Sequence, residues 1–113
     1  LVWGTDGKLV PMLIKAGADP NARNNDGESP LLVAAHHDST GAISELLKAK
    51  ANPDLADKDG VTPLMEAARR GNVASVKLLL AAKADKTASD KSGKTALDYA
   101  RAKKRPAVVQ LLE

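Results

Sequence analysis

Few residues in this chain could carry chemistry. His36-His37-Asp38 is the one stretch resembling a metal site or an acid–base pair. Adjacent side chains on a helix diverge by about 100°. With no cysteine and no third histidine, nothing completes a coordination shell, so metal ligation is not expected. The two imidazoles are read as solvated or partner-facing, with a pH-sensitive contact as the alternative. Asp57 and Asp59 flank a turn without apolar residues to raise a carboxyl pKa, and are read as turn-forming. The chain contains no G-x-x-x-x-G-K-[ST], G-x-G-x-x-G or G-x-S-x-G. Neither a catalytic centre nor a cofactor site is therefore expected. The basic run Arg101-Ala102-Lys103-Lys104-Arg105 admits three readings. It closes a helix, where cations favour the negative end of the dipole; it meets an acidic protein; or it meets nucleic acid. The lack of interleaved aromatics for base stacking argues against the last.

The elements that position these residues are marked by three glycines, Gly27, Gly60 and Gly93, spaced at 33 residues. Asn25-Asp26-Gly27-Glu28-Ser29-Pro30-Leu31 returns as Lys58-Asp59-Gly60-Val61-Thr62-Pro63-Leu64, then as Lys91-Ser92-Gly93-Lys94-Thr95-Ala96-Leu97. Such a period signals stacked supersecondary units that bury their apolar faces against one another. Each unit reads as turn, helix, loop and second helix. Thr62 should cap a helix with Pro63 at its first position and a stripe of Leu64, Ala67 and Ala68. Gly71 ends it, and Asn72 caps the next, with Val76, Leu79 and Leu80 as its stripe. The preceding unit repeats this with Ser29, Leu31, Ala34, Ala35, then Ser39, Ile43, Leu46, Leu47. The start differs. Leu1-Val2 align with Ala34-Ala35, leaving a second helix capped by Asp6 with stripe Val10, Leu13, Ile14. We expect either a natural half-unit or a piece of a longer chain, and this unit to fray first. At the other end, Arg101 and Glu113 replace apolar positions, as a solubilising terminal cap requires.

This pattern, with the loop Gly17-Ala18-Asp19-Pro20-Asn21, resembles the ankyrin repeat over nearly the whole chain. The resemblance implies an all-α solenoid of helix-turn-helix units with β-turn or hairpin loops. One domain over 1–113 would divide into a partial repeat 1–23, repeats 24–56 and 57–89, and a C-terminal capping repeat 90–113. It also implies a non-enzymatic scaffold that binds another protein through a concave surface of turn tips and first helices. By register that surface comprises Trp3, Asn25, Asp26, Glu28, His36, His37, Lys58, Asp59, Val61, Met65, Arg69, Arg70, Lys91, Ser92, Lys94, Ala102 and Lys103. The alternatives are a regulatory or targeting module of a larger enzyme, and an acidic-partner or nucleic-acid binder using the basic last repeat.

Two departures from the family pattern matter. Its T-P-L-H histidine is replaced by Leu32, Met65 and Asp98, which puts the usual inter-repeat polar network in doubt; Asp98 could instead pair with Thr95 in a capping box. Lys50 and Lys83 stand where the loop glycine should be, at about 1–2 kcal/mol each if the backbone is left-handed.

Composition narrows the setting. Of 113 residues, 43% are hydrophobic, mostly small or aliphatic, and no run of about 18 apolar residues offers a membrane span. No secretory leader is visible. A soluble, cytoplasmic protein is expected, although a cysteine-free chain also tolerates the periplasm. It should be a monomer unless its open N-terminal end pairs. The net charge of +3 is uneven: residues 1–66 hold six Lys/Arg against ten Asp/Glu, residues 67–113 eleven against four. The basic end is the C-terminal one.

Overall fold

The computed structural model describes residues 21–113, so Trp3 and all but the last three residues of the expected first unit lie outside the described residues. Among the described residues six helices follow in chain order: α1 (Pro30–His36), α2 (Thr40–Lys48), α3 (Pro63–Arg70), α4 (Val73–Ala81), α5 (Ala96–Ala102) and α6 (Pro106–Leu112). No strand occurs among the described residues; an isolated antiparallel bridge joins Ser89 to Thr95.

Caps set the helix starts. The Ser29 hydroxyl accepts from the Leu32 amide at 3.2 Å, Thr62 from Met65 at 3.3 Å and Thr95 from Asp98 at 3.3 Å. Asp98 returns the bond by accepting from the Thr95 amide at 3.0 Å, and the Met65 sulfur does the same for Thr62 at 3.5 Å. The positions that lack the family histidine thus retain a local role at the helix start. Asn72 caps α4 through the Ser75 amide at 3.1 Å. Ser39 occupies the N-cap position of α2 without a side-chain cap bond, contrary to expectation; its ψ of 79° departs from the extended geometry of the other Ser and Thr caps.

Helix ends also share one design. Ala84 donates to the Leu79 carbonyl at 3.0 Å and Lys83 to Leu80 at 2.9 Å, while Ala51 and Lys50 donate to Leu46 and Leu47 at 2.9 and 3.0 Å. These are paired Schellman bonds, which require a left-handed residue after the helix. That residue is Lys50 (φ 64°), Lys83 (φ 65°), Asp38 (φ 57°) or Lys104 (φ 56°), and only at α3 is it a glycine, Gly71 (φ 74°).

The hairpins stack in two rows, α1–α3–α5 and α2–α4–α6, each helix also packing on its own hairpin partner. Leu31, Ile43, Leu46, Leu64, Val76 and Leu79 are at most 1% exposed, at the stripe positions read from the sequence, and Val108 on α6 is equally buried. Ala34, Ala35, Ala67, Ala68 and Ala100 are buried between first helices, where a small side chain permits close backbone approach. Leu47 and Leu80 are only half-buried, because they lie at the edge of the second-helix stripe. Arg101 and Glu113 are exposed in the positions of Ala68 and Leu80, with Nη2 and Oε1 3.7 Å apart.

Candidate functional site

One side chain per unit fixes each turn. The Asn24 Oδ1 accepts from the amides of Asp26 and Glu28 at 2.9 and 3.0 Å. Asp57 does the same for Asp59 and Val61, and Asp90 for Ser92 and Lys94, again at 2.9 and 3.0 Å. An Asx turn of this kind leaves the next two residues pointing to solvent. Asn25 and Asp26, Lys58 and Asp59, and Lys91 and Ser92 are accordingly exposed. The turns also touch one another: the Lys91 amide donates to the Asp59 carbonyl at 3.0 Å. A Cβ on Gly60 would come within 3.1 Å of the Asp90 Cα and the Lys91 nitrogen, so the glycine there is required by the neighbouring turn as well as by its φ of 81°. Asp57 and Asp59 therefore form a turn, as expected.

The first-helix ends carry a polar network that crosses between units. Glu66 is 8% exposed on α3 and accepts from Arg69 Nε at 3.3 Å, with Arg69 Nη2 on its other oxygen. His36 of α1 places Nδ1 3.0 Å from Glu66 Oε1. Burial pushes the Glu66 carboxyl up, but the bonds from Arg69 and His36 outweigh it and hold it below the ordinary value. Arg70 forms a two-pronged bridge to Asp38 of the preceding unit at 3.1 and 3.0 Å, and Asn72 Nδ2 approaches the same carboxylate at 3.4 Å. The Arg70 hydrogen bond is the main reason that the Asp38 carboxyl is depressed. In the last unit the Tyr99 hydroxyl donates to Asp90 Oδ2, and Lys94 Nζ lies 5.8 Å from the ring centroid. That bond is the main cause of a Tyr99 pKa raised to about 12.

Against the surface read from the sequence, Asn25, Asp26, His36, His37, Lys58, Asp59, Arg70, Lys91, Ser92, Lys94, Ala102 and Lys103 are exposed, and Glu28, Val61 and Arg69 are half-exposed. Met65 is a correction. It is 1% exposed, turned into the core by its place beside the Thr62 cap, and cannot form part of an accessible surface. Arg69 and Arg70 are not free cations but members of the ion-pair network. The His36 and His37 rings meet edge-to-face at 5.1 Å, and the described residues contain no group of three His, Cys, Asp or Glu able to hold a metal ion. No described helix is long and apolar enough to cross a membrane.

Sequence reasoning missed Glu66, Asn72 as a partner of Asp38, and the Tyr99–Asp90 bond. A signal for the first existed: Glu66 occupies the register of Val33 and lies three residues before Arg69, a spacing that pairs charges on a helix.

Comparison with known families finds that a model described as ankyrin repeats, in three copies, matches residues 2–90 and 45–113. Comparison with curated proteins finds no match.

Proposed function

The chain belongs to the ankyrin-repeat family, whose members are generally protein-interaction modules, and on that premise we propose that it is a non-enzymatic scaffold binding a partner protein. The contacting surface is the row of turn tips with the exposed ends of the first helices. The observation that supports this is the division of each unit. Positions facing the neighbouring unit are repeated almost unchanged as Leu31/Leu64 and Ala34/Ala67/Ala100, and are buried. The exposed tips differ in every unit: Asn25-Asp26, Lys58-Asp59 and Lys91-Ser92. A rigid frame carrying changeable polar tips is suited to recognition, and the run Glu28, Val61, Lys94 grades from acidic to basic, which would orient a charged partner.

The test uses a partner captured on the full chain and then purified. Lys58→Glu and Lys94→Glu should weaken binding by about tenfold or more, while Lys77→Glu, at an exposed position of α4, should leave it within about twofold. The opposite ranking would move the contact surface to the second helices.

A further inference from the structure

A polar cleft of about 210 Å³ opens where the C-terminal ends of α3 and α5 adjoin, lined by Arg69, Arg70, Lys103 and Arg105. The C-terminal ends of two helices attract cations, which accounts for basic residues gathering there. It does not account for their number or arrangement. Glu66 matches Arg69 and Asp38 matches Arg70, but Lys103 and Arg105 form no ion pair with any described residue. Four cations against two carboxylates leave a charge of two uncompensated. Arg105 is also held in place: its Nε donates to the Arg69 carbonyl at 3.4 Å, which leaves both terminal nitrogens uncommitted. Gly71 makes room for this. A Cβ at that position would lie 2.5 Å from Arg105 Cδ and 2.7 Å from Nε.

We propose that this cleft receives a phosphorylated side chain of the partner protein, an inference that rests on the scaffold reading above. A phosphate monoester carries about −1.5 to −2 at neutral pH, close to the uncompensated charge, whereas a carboxylate supplies about half of it. Its three terminal oxygens suit the two terminal nitrogens of Arg105 and the point charge of Lys103. Nucleic acid fits less well. Base stacking needs open aromatic faces, and Tyr99, the only aromatic among the described residues besides histidine, has its hydroxyl on Asp90 and Lys94 near its ring.

The experiment is an NMR titration of the full chain with a short phosphoserine peptide, the same peptide with serine, and a single-stranded DNA oligonucleotide. The phosphopeptide should shift the Gly71 amide and the Arg105 side-chain Nε–H, and the serine peptide should not. Arg105→Gln and Lys103→Gln should each weaken phosphopeptide binding by about tenfold, and Lys86→Gln by less than about twofold. The exposed Lys103 side chain forms no ion pair among the described residues, so its variant remains informative even if Arg105→Gln disturbs the Gly71 loop. Equal shifts from the two peptides, indifference to Lys103→Gln, or tighter binding of the oligonucleotide with a steep salt dependence would overturn the proposal. A partner lost on turn-tip substitution yet indifferent to phosphatase would overturn this inference alone. Phosphopeptide binding alongside a partner indifferent to the turn tips would overturn the scaffold surface alone.

Discussion

Lys83→Gly should stabilise this protein, against the general rule that glycine weakens a fold. Lys83 sits at φ 65°, where an L-residue brings its Cβ against the carbonyl, at about 1–2 kcal/mol. Glycine removes that strain but gives the unfolded chain more freedom, which costs about 0.4–1 kcal/mol. The difference favours glycine by roughly 0.5–1 kcal/mol. Little else is lost, because the Lys83 side chain is exposed and forms no ion pair among the described residues. Both Schellman bonds come from backbone and survive the change. Lys50 repeats the geometry at φ 64° with its own carbonyl partner, so the double variant should gain roughly 1–2 kcal/mol. In a domain near this size that raises the thermal midpoint by about 4–8 °C per kcal/mol, readable by circular dichroism. Two controls fix the sign. Lys86→Gly, exposed but not left-handed, should lower the midpoint, and Gly71→Ala should lower it further because its φ of 74° strains any L-residue, with the new methyl also displacing the Arg105 side chain. If Lys83→Gly falls as far as Lys86→Gly, the left-handed helix end is not where the strain resides.

Three further outcomes can be checked directly. Leu79→Ala removes a 0%-exposed side chain between units and should cost about 2–5 kcal/mol in urea unfolding; a loss below about 1 kcal/mol would contradict the packing register. Tyr99 is the only tyrosine, so tyrosinate absorbance reports it alone. Its midpoint should lie near pH 12 in the native chain and near 10 in denaturant, and Asp90→Asn should lower the native value. This bond contributes stability below pH 10 that is lost as pH rises through 12. Glu66 and Asp38 act in the opposite sense. Their folded pKa values lie below the ordinary 4.5 and 3.8, so their contribution is complete above about pH 4.5 and disappears as pH falls through the lower folded values. Glu66→Gln should flatten the acid limb of the urea midpoint against pH, and an unchanged limb would remove Glu66 from the coupling between units.

Much of the fold was legible because the features that build it are local and recur in frame. A cap and a leucine-alanine stripe each act within one unit and recur three times at the 33-residue spacing, with a first-turn proline in two of the three. Ser39 shows where that logic stops. It occupies the cap position by alignment, yet whether its hydroxyl reaches a backbone amide depends on a ψ angle the alignment does not encode. Met65 shows the same limit on the proposed binding face. Register placed it on the accessible surface, but a long apolar side chain next to a threonine cap gains more by folding inward than by facing water.

The surface was less legible for a specific physical reason: its charges pair across units. Arg70 looks like a free cation until Asp38, 32 residues earlier, is placed beside it, and Arg69 until Glu66 fills the gap that also receives His36. Composition alone assigns residues 67–113 an excess of seven positive charges, but the part able to attract a partner is what remains after these neighbours are subtracted. Of the four cations that line the cleft, Lys103 and Arg105 remain. They are distinguished from the equally basic Lys104 not by residue type but by position, since Lys104 closes α5 in left-handed geometry while Arg105 reaches back to the carbonyl of Arg69 in the preceding unit. On the phosphate reading proposed above, specificity in this stack of near-identical units would arise where one unit reaches into the next and leaves a charge unmatched.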